Sequence, residues 1–145
     1  MPYKYEGIIV HTNVNPPSER SLSEDGYNYG KPWQCVEFVK RFYYKKLNHK
    51  MPNTWGHAIN FYNPHIKSGS LNVERNLIQY KNNGVEKPKK YDLIVMETRG
   101  TKYGHVAIVH SFKDNTVTII QQNTRHKRGK IKLNKLVKGW LRIKK

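Results

Sequence analysis

The chain has 145 residues, a length for one domain, and its 27 Lys+Arg against 10 Asp+Glu give a formal charge of +17. Ten Tyr, four Phe and three Trp exclude a disordered protein, a single cysteine excludes an internal disulfide framework, and no run approaches the ~20 apolar residues of a membrane span. The basic excess favours polyanionic surroundings (nucleic acid, anionic lipid or wall polymers) without choosing among them.

Residues 1–30 read as irregular, with one short strand expected at Gly7–His11; Pro16-Pro17 and SEDGYNYG are turn chemistry. Pro32 stands where a helix tolerates proline, in its first turn. Val36, Val39, Tyr43 and Leu47 then recur at three- and four-residue steps, so the spacing predicts a helix from Pro32 to Leu47 with one apolar face. In MPNTWGHAINFYNP a shorter helix is expected, capped by Asn53 or Thr54 and stopped by Pro64. Residues 65–90 read mostly as loop, with a short strand near Leu77–Tyr80. The period then changes to two: YDLIVMET, GHVAIVHSF and NTVTIIQQN are β-rich runs separated by turns, and a last strand is expected in GKIKLNK or GWLRI. One main helix followed by an antiparallel sheet is an α+β fold, and residues 1–145 are expected as one domain. Trp140 is expected in the core and Asp92 in a structural role.

The only cysteine, Cys35, falls in the first turn of the predicted helix, within KPWQCVEFVKRF. There the helix dipole and free backbone N–H groups favour thiolate and lower the pKa; the competing reading is a small buried hydrophobe. A thiol nucleophile needs a base. Of seven histidines, His105 stands apart because it follows Gly104 and opens the apolar run VAIV, which holds an imidazole on rigid backbone. His110, at an odd offset on the same run, faces the other way. In VTIIQQN, Gln121 and Asn123 share a face and Gln122 points away. If FKDNT closes a hairpin with a three-residue loop, Phe112 faces Thr116 and His105 faces Asn123, with Gln121 diagonal. A two-residue loop shifts the register by one and turns both amides to the wrong face.

WQCVEFVKRF, YDLIVM, GHVAIV and IIQQN, in that order and spacing, resemble a CHAP domain over about residues 28–123, and GWLRI fits the family's closing strand. The resemblance implies a papain-like fold, its cysteine-bearing helix packed on an antiparallel sheet, and a cysteine- and histidine-dependent amidohydrolase or peptidase. It implies Cys35 as nucleophile, His105 as general base, and an oxyanion site made by the Cys35 N–H and the Gln34 side chain. The family's usual Glu-Gln-Asn is Gln121-Gln122-Asn123 here, so an amide, from Gln121 or Asn123, takes over from the acidic group that orients the imidazole. Trp33, Trp55 and His57 flank the implied cleft as candidate substrate-binding residues, against plainer readings as packing aromatics and a surface histidine. No cofactor is implied. Some members bind calcium ahead of the cysteine, but that region offers only the carboxylates of Glu24 and Asp25, so no metal is expected.

Two substrates compete. The cysteine segment is typical of glutathionylspermidine amidases, yet a chain of +17 repels a polycationic arm. Peptidoglycan stem peptides carry carboxylates, on which a basic enzyme accumulates. The expected function is therefore amide cleavage in peptidoglycan through a thioester acyl-enzyme, of the lytic or antibacterial-effector type, by a monomer that a cognate inhibitor protein could restrain. The N-terminus reads without a secretory signal, so action at the bacterial wall is expected to follow delivery, secretion by other machinery, or lysis. A third reading is not an enzyme: TRHKRGKIKLNK, Thr124–Lys135, is dense in basic residues and fits a nucleic-acid binder. A solvated basic strand pair beside the cleft is the plainer account, and nucleic acid is not expected as a partner.

Overall fold

The computed structural model describes residues 2–53 and 56–144. Where one isolated strand was expected, the first thirty residues hold two short hairpins: β1 (Tyr3–Tyr5) with β2 (Ile8–Val10), and β3 (Ser21–Leu22) with β4 (Asn28–Gly30). Strands of two or three residues carry too little periodicity to be read from sequence. Helix α1 runs Cys35–Leu47, so Cys35 is its first residue and Gln34 its N-cap. The expected start at Pro32 is too early because Trp33 sits at φ 67°, a left-handed conformation that no helical residue adopts. At the other end Asn48 turns left-handed, and the N–H groups of Asn48 and His49 donate to the Tyr44 and Tyr43 carbonyls. The second helix is a single 3-10 turn, Ala58–Phe61, capped by His57 and not by Asn53; Thr54, the alternative cap, lies outside the described residues.

The remaining elements are strands: β5 (Ser70–Asn72), β6 (Leu77–Lys81), β7 (Leu93–Met96), β8 (His105–Lys113), β9 (Thr116–Ile120), β10 (Arg128–Lys132) and β11 (Val137–Arg142). They form one antiparallel sheet in the order β10-β9-β8-β7-β11-β6-β5, so both candidates for the last strand are strands and the fold is α+β. One face packs on α1 and the first hairpin, with Phe38, Val39 and Phe42 against Val95, Val106, Ile108 and Ile120. The other face closes over Trp140 with Ile94, Ala107, Val109 and Ile119. Buried Asp92 accepts from Arg142 through both carboxylate oxygens, each at 2.7 Å, and ties the start of β7 to β11.

The β8–β9 hairpin closes with a two-residue turn. Asp114 and Asn115, at φ 51° and 61°, are the left-handed pair of a type I′ turn, and Lys113 faces Thr116. Carried along both strands, that register would move Gln121 and Asn123 off the face of His105. A β-bulge between Val109 and Ser111 absorbs one residue, His110, so that beyond it Val109 faces Ile119 and Ile108 faces Ile120. The bulge therefore gives the strand ends the register that a three-residue loop was expected to produce. His110 itself turns to the ring of Tyr5, 6.0 Å away between centroids.

Behind the start of α1 lies a buried polar network. Arg41 Nε donates to Glu37 Oε2 at 2.6 Å, one helical turn away. Gln122 Nε2 donates to Glu37 Oε1 at 2.9 Å and to the Gln34 carbonyl at 2.8 Å. Its Oε1 accepts from the His11 N–H at 2.7 Å and from Arg41 at 3.1 Å. Arg41 also donates to the Ile9 carbonyl at 2.8 Å. Replacing Glu37 by Ala strands Arg41 as a buried unpaired charge; the expected cost is about 3 kcal/mol in urea denaturation, because a broken buried pair costs more than an absent one.

Candidate active site

The N-terminus of α1, the start of β8 and the segment after β9 meet at one cavity of about 690 Å³. Gln34, Cys35, His57, His105 and Asn123 all stand in its wall. Gly104 sets the position of His105. At φ 75° it is left-handed, and a Cβ there would lie 2.8 Å from the Ile59 side chain and 2.9 Å from the Met96 carbonyl oxygen. Only glycine lets the 3-10 turn pack this closely on β8, where the Ile59 N–H donates to the Tyr103 carbonyl at 2.9 Å.

The imidazole is oriented by an amide. His105 Nε2 lies 2.9 Å from Gln121 Oε1, and Gln121 Nε2 donates to the His126 carbonyl at 2.8 Å. A carbonyl can only accept, so it fixes the Gln121 amide with its oxygen towards His105. Nε2 then carries the ring proton, and Nδ1 is left as the basic nitrogen. Asn123 is engaged elsewhere: its Nδ2 donates to Gln34 Oε1 at 3.0 Å and its Oδ1 accepts from Asn13 at 2.7 Å. With the Gln34 oxygen taken, the NH₂ end of that amide is the one available to the cavity.

Cys35 is packed under the same strand. Backbone N–H groups of Val106, Val36 and Cys35 itself interact with the thiol and favour thiolate, but burial dominates and pushes it above its ordinary value of 9.0. The lowering expected from the helix N-terminus is thus outweighed by lost hydration. Burial likewise lowers His105 from 6.5, with the Gln121 hydrogen bond opposing. Both shifts favour neutral forms.

Trp33 stacks on His11, with centroids 4.9 Å and planes 18° apart, and does not stand in the cavity wall. His57 does, with its ring 4.5 Å from that of Tyr103. Trp55 lies outside the described residues. Sequence reasoning missed Arg20, Lys31 and Tyr103, which also line the cavity, because they come from turns and loops with no periodic pattern. It also missed the Glu37–Arg41 pair, although the four-residue spacing of opposite charges was there to be read.

Among the described residues no group of three or more His, Cys, Asp or Glu is placed to hold a metal ion. Ahead of the cysteine, Asp25 accepts from Lys50 at 2.7 Å, from Tyr44 at 2.9 Å and from Ser23. The Asn28 carbonyl accepts from the ammonium of buried Lys40 at 2.6 Å, and burial lowers that lysine to about 8. Oxygens of this segment serve two lysines, so these residues do not fit calcium.

The family model for the CHAP domain matches residues 25–123. No curated protein matches the chain. Among solved structures it is similar to that of the wild-type endolysin LysIME-EF1, at 19% identity and a TM-score of 0.54 over 84% of this chain. The match spans 56% of the endolysin chain, little more than half of its length.

Gln121→Leu removes the acceptor from Nε2–H, and the expected result is a ¹⁵N spectrum in which His105 moves from the Nε2–H tautomer towards a mixture. Asn123→Leu is expected to leave that spectrum unchanged.

Proposed function

The chain belongs to the CHAP domain family of cysteine-dependent amidohydrolases and peptidases, and from that premise we propose that it cleaves an amide bond in peptidoglycan, with Cys35 as nucleophile and His105 as general base. The observation that carries the substrate class is the charge of the cavity wall. Arg20 and Lys31 stand in it, and among the described residues it contains no Asp or Glu. A carboxylate-bearing stem peptide is attracted by such a wall. The spermidine arm of glutathionylspermidine would bring positive charge against Arg20 and Lys31 with no acidic group to receive it.

In this mechanism the pair rests neutral. As the substrate carbonyl approaches Sγ, His105 Nδ1 takes the thiol proton and the thiolate attacks. The Cys35 N–H, unpaired within the helix as a first-turn donor, and the Gln34 amide meet the oxyanion. The C–N bond breaks as His105 returns the proton to the leaving amine. Water, deprotonated by His105, then hydrolyses the thioester and restores the thiol. Gln121 stabilises the required tautomer throughout, but as a neutral group it lends the imidazolium less support than a carboxylate would.

Purified peptidoglycan incubated with the protein is expected to release fragments whose masses name the bond cut. Cys35→Ala is expected to release none, and His105→Ala to lower kcat/KM by about a thousandfold. Glutathionylspermidine serves as the parallel substrate. Its cleavage in the absence of wall cleavage would overturn the substrate assignment.

A further inference from the structure

The positive charge is unevenly placed. The last acidic residue is Asp114, and residues 115–145 contain no Asp or Glu. Within that stretch β10 forms an edge of the sheet, and its exposed Arg128, Lys130 and Lys132 alternate along it. They pair with Ile120, Thr118 and Thr116 of β9, so they share one face. Lys113 of β8 joins the row through Thr116, and Ile120 places that face on the side of the sheet that carries α1. None of the four cations has an ion-pair partner among the described residues. Arg128 also acts on a neighbour: burial is the first cause of the lowered pKa of His110, and the charge of Arg128 is the next.

This ridge starts at the active site. The Gln121 N–H donates to the Lys127 carbonyl at 2.9 Å, and Gln121 Nε2 is held by the His126 carbonyl, so the turn that leads into β10 is the one that fixes the amide on His105. Edge strands often carry a lysine to prevent pairing with other chains. Three cations aligned along β10, with a fourth two strands over on β8 and no carboxylate among them, exceed that need and carry a cost in self-repulsion.

We propose that the ridge docks a linear polyanion made of phosphodiester-linked polyol units, the chemistry of a teichoic acid, and so holds the catalytic cavity against a wall that carries it. Cations at alternate strand positions recur about every 6.8 Å, which matches a repeating charge better than a single ion. Binding of single-stranded nucleic acid also needs aromatic platforms for the bases. Among the described residues the ridge presents none: of the exposed large hydrophobic residues described, only Tyr103 is aromatic, and it lies at the cavity. The proposal takes the polymer's identity from the wall reading above but concerns binding alone.

The test uses Cys35→Ala protein, so that binding is read without turnover, and purified poly(glycerol phosphate) at several salt concentrations. Arg128→Thr/Lys130→Thr/Lys132→Thr is compared with Lys67→Thr/Lys81→Thr/Lys87→Thr, which removes equal charge from exposed positions elsewhere. The ridge variant is expected to bind about tenfold more weakly or worse and to lose about 2 from the slope of log K against log salt, while the control changes by less than about twofold. Equal losses in both variants, no binding by the parent, or displacement of the polymer by duplex or single-stranded DNA at lower concentration would each overturn the proposal. None of these outcomes bears on whether the active protein hydrolyses peptidoglycan, which the digestion experiment decides separately.

Discussion

Gln122 is the buried point at which the pieces of the catalytic site are joined. Its side chain bonds the Gln34 carbonyl at the N-cap of α1, Glu37 one turn on, the His11 N–H of the N-terminal segment, and Arg41. Its neighbours diverge from it: Gln121 holds His105 and Asn123 holds Gln34. Three consecutive residues after β9 thus fix the imidazole, the helix start and the Gln34 amide relative to one another. Inside a protein such a network is rigid when every member is satisfied and costly when one is removed. Here the satisfied version puts a thiol and an imidazole in the wall of one cavity.

The electrostatics of that cavity differ from what a cysteine at a helix N-terminus leads one to expect. Four backbone N–H groups are left unbonded at such a terminus, and two of them, of Cys35 and Val36, act on the thiol together with that of Val106 from β8, yet burial of the thiol outweighs them. The same burial disfavours imidazolium, and Gln121 brings no negative charge to reverse it. A neutral pair protects the thiol from oxidation, since the thiolate is the reactive form. It also makes proton transfer part of the attack and not a preceding equilibrium.

The second half of the chain was legible because its strands are long enough to show a period of two, and the apolar face of α1 showed its three- and four-residue steps. Cys35, His105 and the amides after β9 could be named from the motifs they sit in. Other features rest on single residues. The left-handed Trp33 moved the helix start to Cys35, and its N–H donates at 3.2 Å to Oε1 of Glu37 in the first turn of the helix, a local contact that no periodic pattern announces. The bulge at His110 could not be read at all, because a histidine in a strand carries no mark of being the extra residue. The expected register was reached by a different route: a shorter turn and one absorbed residue. The N-terminal hairpins escaped because their strands are too short for any pattern to accumulate.

Charge and chemistry divide the surface between them. Arg20 and Lys31 line a cavity whose wall, among the described residues, holds no Asp or Glu, and a further row of cations runs from the turn that clamps Gln121 along the sheet edge. The central claim beneath all of this is that the half-buried Cys35–His105 pair rests neutral. The pH dependence of iodoacetamide alkylation at Cys35, followed by mass spectrometry, tests it most directly. The account predicts slow alkylation at neutral pH and a rise with a midpoint above 9.0. A rate already at its plateau below pH 6.5 would show a preformed thiolate–imidazolium pair and contradict it.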